Sequence, residues 1–276
     1  MPWNAKLELD YAQEEGRSVA RFLHSGPLRI LQSLYPEGDA VCHNVLVHPP
    51  GGLVGGDQLD MAVKVGPNAH GLVTTPGATR FYRSEGAVAT QRLRAKLDDG
   101  ARLEWLPLEA LAYAGCQASN QAVFTLAPTA EMITWDITAL GLPAANQPFN
   151  KGWFSQHLEI PGVWLEKGKI DAADARLMDG PLGLAGQRCL ASLVFASGSD
   201  LARPRRERAL DAVRALIDTS ELKQSAGATS PHPQVLVVRV ISPLVEPALN
   251  LLKLLWAAWR AELWGLTVQR PRSWNS

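Results

Sequence analysis

The sequence predicts a mainly β fold: antiparallel β-sheets in a layered or β-helix-like arrangement, with two α-helices in the C-terminal third. Three observations support this class. Short runs rich in Val, Leu, Thr and aromatic residues recur between turn signals over the first two thirds of the chain. Several of these runs alternate with period two. Only two segments, both late in the chain, have helical periodicity.

The predicted strands are short and closely spaced. Leu7, Leu9 and Tyr11 share one face of the first strand, and Met61, Val63 and Val65 share one face of a later strand. Because no helical segment separates the strands, the pattern favours antiparallel sheets over βαβ units. The predicted strands are 6–13, 18–24, 28–34, 42–48, 59–65, 71–75, 87–97, 102–106, 122–126, 131–137, 154–160 and 163–170.

The C-terminal third predicts two amphipathic helices. Segment 204–220 has an apolar stripe and charges on its other side. Segment 249–263 has a second stripe, entered through two prolines and stopped by Gly265. Between the helices, 234–240 is a predicted buried strand, whereas 198–205 and 223–233 are predicted surface loops. No repeat of fixed period stands out, and we predict one domain spanning residues 1–276.

Composition narrows the class of function. The 276 residues are 46% hydrophobic and 20% charged, and 27 basic residues balance 27 acidic ones. Zero net charge argues against a nucleic-acid footprint and indicates a tendency to associate. The most apolar stretch, 249–263, is interrupted by charges and is too short to span a bilayer. With no secretory signal and three separated cysteines, we expect a reduced, cytoplasmic protein without a membrane anchor.

The segment HPPGGLVGGDQLD (48–60) is the most unusual in the chain. Gly51 and Gly56 have the spacing of a phosphate loop, but such a loop needs Lys and then Ser or Thr after its last glycine. Asp57 follows instead and would repel phosphate. Two compatible interpretations remain for these glycines. They form an elaborate hairpin connection between the strand before them and the strand after them, or they also form a partner-contact or ion-conducting surface.

Candidate metal ligands lie in the same region. Cys42, His43, His48, Asp57 and Asp60 form a mixture that suits a borderline metal such as nickel or zinc. No paired CxxC or HExxH motif accompanies them, so we predict weak or transient ion handling rather than a closed site. A strand at 42–48 places Cys42 and His48 on one face and His43 on the other.

Several motifs together resemble one family, the urease accessory protein UreD, called UreH in some members. The resemblance runs nearly from end to end and is most specific in 48–57 and in the segment TTPGATRFYRS (74–84). Further matching motifs are Gly26-Pro27-Leu28, Leu34-Tyr35-Pro36-Glu37, Cys42-His43, Leu103-Glu104-Trp105-Leu106-Pro107, Trp135-Asp136 and Pro271-Arg272-Ser273-Trp274.

The resemblance implies a non-catalytic scaffold or metallochaperone subunit in the assembly of the dinuclear nickel centre of urease. Such a subunit joins the accessory proteins F and G, of which G is a GTPase, and docks on the urease apoprotein. An internal passage through the D-type and F-type proteins would carry nickel. No tightly bound cofactor is implied, only transient nickel.

The resemblance and the local sequence together give three sets of expected site residues. The transient nickel ligands are Asp57, His48, Asp60, Cys42, His43 and Glu109. The structural or partner-contact loop comprises Gly51, Gly52, Gly55, Gly56, Arg80, Tyr82 and Arg83. The partner-binding helix presents Trp256, Trp259 and Leu263.

One departure from the family pattern and two alternative functions stay open. After Trp135-Asp136, Leu142 and Gln147 stand where many members have Arg and Glu, so no role of that Glu transfers to Gln147. The main alternative is a stand-alone β-rich hydrolase acting on glycosides through a carboxylate pair such as Asp57 with Glu109. A generic interaction domain without metal is the third interpretation.

Overall fold

The structure, a computed structural model, describes residues 2–275 and is built mainly from strands. In chain order, strands β1–β19 are Asn4–Glu14, Arg17–Ser25, Arg29–Leu34, Cys42–Val47, Gly52–Leu53, Gln58–Val65, His70–Thr74, Thr79–Phe81, Ala89–Leu97, Arg102–Leu106, Ala110–Ala112, Cys116–Leu126, Glu131–Leu142, Gln147–Pro148, Gly152–Ile160, Trp164–Asp171, Cys189–Ser197, Ala226–His232 and Val235–Ser242. The α-helices α1–α3 are Ala175–Asp179, Arg203–Asp218 and Val245–Trp264. Two 3-10 turns occupy Pro143–Ala145 and Arg272–Asn275.

The central strands wind as successive coils of a β-solenoid. Each coil contributes one strand to a seven-stranded first sheet, ordered β16-β15-β12-β9-β6-β1-β2. It contributes another to a second sheet, whose main path is β18-β19-β17-β13-β10-β7-β4-β3. A short third row, β5-β8-β11, joins the second sheet through β13. The mainly β class and the β-helix-like arrangement are therefore confirmed.

The prediction of antiparallel pairing is wrong for the middle of both sheets. Neighbours β6, β9, β12 and β15 pair in parallel, as do β4, β7, β10 and β13. Antiparallel pairs occur at the outer strands, such as β1 with β2 and β15 with β16. Parallel neighbours need a long crossover, which is usually a helix. Here the crossover is a strand of the opposite sheet, so no helical signal accompanies it.

The two long predicted helices are confirmed with small shifts of their ends. α2 begins at Arg203, with Pro204 in its first turn. α3 ends at Trp264, and Gly265 caps it in the left-handed conformation (φ +65°). The short α1, capped by Asp174, was not predicted. Residues 223–233 were predicted as a loop, yet β18 lies there and pairs with β19. The Gly, Ser and Pro residues of this segment are typical of a loop, although the segment forms a strand at the edge of the sheet.

Two hydrophobic layers hold the fold together. The first lies between the sheets and includes Leu9, Val63 and Phe154, all nearly inaccessible to solvent. The second lies between the outer face of the second sheet and helices α2 and α3, and includes Trp256 and Trp259. Burying such apolar surface contributes about 25 cal/mol per Å². The second sheet is therefore packed on both of its faces.

A buried ion network fastens α3 to the second sheet. The fully buried Arg260 side chain lies 2.8 Å from a Glu37 oxygen and 3.2 Å from a Glu104 oxygen. Trp256 donates its indole N–H to Glu104 at 2.5 Å. His70 and His43 contact Glu104 and Glu37 respectively. Burial lowers the pKa of His70, and Glu104 only partly offsets this effect.

Candidate ion passage between the sheets

A band of polar residues crosses the apolar interior between the two sheets. In the first sheet, Gln91, Asn120 and Gln156 lie side by side on adjacent parallel strands. In the second sheet, Asp136, Ser192 and Arg239 are likewise in register. The residues two positions before and after Asn120 are Ala118 and Ala122, and Leu93 and Leu158 follow Gln91 and Gln156 at the same spacing. We call the six polar residues the polar band: Gln91, Asn120, Gln156, Asp136, Ser192 and Arg239.

Asp136 is the centre of the polar band. Asn120 donates to its Oδ2 atom at 3.1 Å, and Gln156 donates to its Oδ1 atom. Thr138 donates to the same Oδ1 at 3.2 Å. Burial raises the pKa of Asp136 to about 6, although these hydrogen bonds favour its charged form. A carboxylate with such a pKa exchanges protons near neutral pH.

Three adjoining cavities follow the polar band. The first, of about 220 Å³, is lined by His48, Gly51 and Arg80 at one end and reaches Gln91. The second, of about 30 Å³, shares Gln91 and four other residues with the first and extends to Asp136. That volume holds about one or two water molecules. The third, of about 190 Å³, starts at Asp136 and is lined by Glu166 and Arg239.

The two ends of this series differ in charge. At the first end, His48 carries a buried Nε2 atom that has no hydrogen-bond partner within residues 2–275. Burial lowers the pKa of His48, against the partial opposing effect of Asp57, so its imidazole is neutral at neutral pH. At the second end, Arg239 of the second sheet binds Glu166 of the first sheet at 2.8 Å. The ion pair bridges the sheets where the cavity reaches the surface.

The structure separates the six predicted nickel ligands. Cys42 and His48 face the interior between the sheets, whereas His43 points to the opposite face and contacts Glu37 at 2.5 Å. This division confirms the predicted alternation along β4. Asp60 lies on the outer face of the first sheet, 3.4 Å from Arg92. These predicted ligands therefore do not lie together at one site.

Asp57 is occupied by backbone hydrogen bonds. It is 2% exposed, and its two carboxylate oxygens accept from the amides of Trp3 at 2.7 Å and Val54 at 2.9 Å.

Glu109 is half-buried. Burial is the main cause of the raised pKa of Cys189, and the charge of Glu109 raises it further. In the described part of the chain, no group of three or more His, Cys, Asp or Glu residues is arranged to hold a metal ion.

The glycines of the 48–57 segment permit close packing of the loop. A Cβ atom at Gly52 would collide with Tyr82, whose ring packs on Tyr113 at 4.9 Å. One at Gly55 would collide with Ser84. Gly51 and Gly56 have φ of +74° and +91°. Arg80 and Arg83 are exposed beside this loop. The predicted hairpin between β4 and β6 is wrong, because β4 belongs to the second sheet and β6 to the first. The loop, which includes the short strand β5, crosses from one sheet to the other.

The predicted partner-binding face of α3 is wrong. Trp256 and Trp259 are fully buried and Leu263 is 7% exposed. Trp259 donates to the Ala209 carbonyl of α2 at 3.1 Å. The apolar stripe of α3 therefore packs within the chain. The outer positions of this helix include Leu254, which is 46% exposed.

Sequence reasoning missed the polar band. Asp136 was noticed only as part of a motif, and Gln91, Asn120 and Gln156 were not singled out. Each occupies an inward position of an alternating strand, where an apolar residue is expected. Polar residues at these inward positions were the available signal in the sequence. The sequence does not show which strands lie opposite each other, so it could not show that Asp136 faces the other three side chains.

The fold and the site define a class: a β-solenoid protein with a polar band across its interior. The family model described as UreD urease accessory protein matches residues 4–275. A protein of Paracidovorax citrulli named urease accessory protein UreD is 66% identical over 99% of each chain. Proteins of the same name from Variovorax paradoxus and a Polaromonas species are 63% and 61% identical, over 99% and 100% of each chain. The chain belongs to the UreD family of urease accessory proteins.

Proposed function

We propose that this chain is a non-catalytic scaffold in urease maturation and that nickel crosses it along the polar band. The observation that carries the proposal is the series of three adjoining cavities, each sharing lining residues with the next, from His48, past Asp136, to Glu166 and Arg239. Apolar residues surround this series. An aliphatic side chain would pack there at lower cost than a polar one, so packing alone does not explain the polar side chains.

The residues along the path suit an ion in transit. Neutral imidazole and carboxylate groups bind nickel, whereas a closed thiolate cage would retain it. His48 offers an unpartnered nitrogen, and Asp136 offers a carboxylate in the narrow part. The two groups line different cavities, so each would hold the ion weakly and release it. The cargo is transient nickel, with no resident cofactor.

The expected partners are the accessory proteins F and G and the urease apoprotein, in the cytoplasm. Family membership supports partners of the urease system. Three free, buried cysteines suit a reducing compartment. No helix within residues 2–275 is long and apolar enough to cross a membrane.

The hydrolase alternative has less support. Asp57, one of the two carboxylates considered for it, is 2% exposed and binds two backbone amides. The relatives are named as accessory proteins.

The test is co-expression of this chain with apo-urease and the F and G proteins, followed by affinity capture on this chain. Urease activation is then measured with nickel present, with this chain included or omitted. We expect a retained complex, and loss of activation on omission. Capture of none of the three partners, together with unchanged activation, would overturn the scaffold proposal.

A further inference from the structure

Asp57 joins three separate segments at one end of the first sheet. Its carboxylate accepts from Trp3, in the N-terminal segment, and from Val54, in the glycine loop. Its backbone carbonyl accepts from Thr90, at the start of β9, at 2.8 Å. The side chain and the backbone of one residue therefore fix the N-terminal segment, the glycine loop and the segment before β9.

Each of these three segments carries an exposed apolar side chain. Trp3 is 54% exposed, Val54 47% and Val88 37%. The backbone holds them close: Gln58 donates to the Trp3 carbonyl at 2.8 Å, and Gly56 donates to the Val88 carbonyl at 3.2 Å. Pro2 lies against Gly56 and is exposed as well. We call Pro2, Trp3, Val54 and Val88 the Asp57 patch.

The glycines next to Asp57 hold this patch in place. A Cβ atom at Gly55 would lie 2.8 Å from the Ala87 carbonyl oxygen and would collide with the Ser84 side chain. The loop therefore packs directly on the segment that carries Val88. A surface held by backbone hydrogen bonds and close packing loses little conformational entropy on binding. Exposed apolar groups that are held together as one patch are typical of protein interaction sites.

The surroundings of the patch indicate the chemistry of its partner. The four patch residues are uncharged. The glycine loop continues from Val54 back to Gly51, where the exposed Arg80 lies and where the first cavity opens beside His48. Arg80 has no ion pair with any described residue. A surface that covers the patch would thus meet one free cation at its rim and the end of the candidate passage.

We propose that the Asp57 patch docks a partner protein that presents apolar side chains bordered by a carboxylate facing Arg80. The inference rests on the proposed function, because docking here seals the His48 end of the passage against water. Asp57 is then a positioning residue that shapes the docking surface, and it is not a nickel ligand. This assignment replaces the role in ion handling that the sequence indicated.

The experiment uses the full chain co-expressed with apo-urease and the F and G proteins. The test variant is Trp3→Ser combined with Val54→Ser. The matched control is Leu31→Ser combined with Leu182→Ser, which changes two apolar side chains that are 78% and 98% exposed elsewhere. We expect the test variant to retain about tenfold less of one partner than the wild type, the equivalent of about 1.4 kcal/mol. The control should retain all partners.

Asp57→Asn tests the positioning role. The amide NH2 group, a donor, replaces one of the two acceptor oxygens, so one backbone hydrogen bond is lost while the shape of the side chain is nearly kept. We expect partner capture to fall, and nickel binding by the isolated chain to stay at the wild-type level. Lost nickel binding with normal capture would overturn the assignment.

Other outcomes separate this inference from the proposed function. If the wild type captures its partners and the test variant captures them equally, only the docking inference fails. If the wild-type chain self-associates and the test variant is monomeric, the patch is a contact between copies and the inference is overturned. If the wild type captures none of the three proteins, the proposed function fails and the inference with it.

Discussion

Asp136 shows how one residue departs from the rule that governs its strand. Its neighbours in the inward row of β13 include Met132 and Leu140, both fully buried apolar residues. A carboxylate in that row is costly, as its raised pKa shows. Under the proposed function, a role in which charge matters, such as passing a cation, accounts for that cost.

The stability of the chain should depend on the protonation of Asp136. The pKa of this carboxyl is about 6 in the folded chain and about 3.9 in an unfolded chain. Because the folded state binds the proton more tightly, acidification through pH 6 stabilises it, and the gain is complete below about pH 4. Between pH 7 and pH 5, we expect the free energy of unfolding of the wild type to rise by about 1 kcal/mol relative to Asp136→Asn.

Chemical denaturation of both proteins at pH 7 and pH 5 measures this difference. Asparagine does not titrate, so the variant provides the baseline for all other groups. An identical pH dependence in the two proteins would contradict a buried, proton-exchanging carboxyl at this position.

Residue roles were partly predictable from the sequence. Alternation along β4 correctly placed Cys42 and His48 opposite His43. The role of Asp57 was not predictable, because its two partners include Trp3, which lies 54 positions away. From the sequence alone, an acid beside glycines indicates ion handling. The structure shows instead that the Asp57 carboxylate binds two backbone amides.

At the scale of elements, the glycines of the 48–57 loop allow it to pack closely against neighbouring segments. Gly55→Ala places a methyl group against Ser84 and the Ala87 carbonyl, and we expect it to destabilise the fold by about 1–3 kcal/mol. Gly227→Ala is the matched control, because a Cβ atom there has no neighbour within 4 Å. Thermal unfolding of both variants makes the comparison. Equal effects would show that the loop has room to adapt.

Helix α3 is attached through a charge rather than through apolar contacts alone. Arg260→Met leaves Glu37 and Glu104 buried without their shared cation, and we expect a loss of about 3–5 kcal/mol. Arg203→Met removes an arginine from an exposed ion pair on α2 and should leave the unfolding midpoint unchanged. If Arg260→Met were as stable as the wild type, the network would not fasten the helix.

Element positions were predicted better than their pairing. The strand ranges and both long helices follow from periodicity within each segment, which local sequence records. Parallel pairing depends on how successive coils stack. The first strands of the coils begin at Cys42, His70, Arg102 and Glu131, about 30 residues apart. This spacing was invisible as a repeat because the coils share inward positions rather than residue identities.

At the scale of the molecule, the solenoid explains why a polar band lies in the interior. Strands from two sheets face each other along the whole winding, so a polar residue at one inward position of several coils produces a band across the interior. Gln91, Asn120 and Gln156 occupy that position on three successive coils. Three adjoining cavities follow this band, from an end beside the Asp57 patch to the ion pair of Glu166 and Arg239.

The central claim is that nickel crosses the chain past Asp136. The most direct measurement is the nickel content of urease activated in the complete complex, compared between the wild type and Asp136→Asn. We expect the variant to retain its partners and to load nickel about tenfold more slowly, as a barrier raised by about 1.4 kcal/mol would require. Wild-type loading by an intact Asp136→Asn complex would contradict the passage along the polar band.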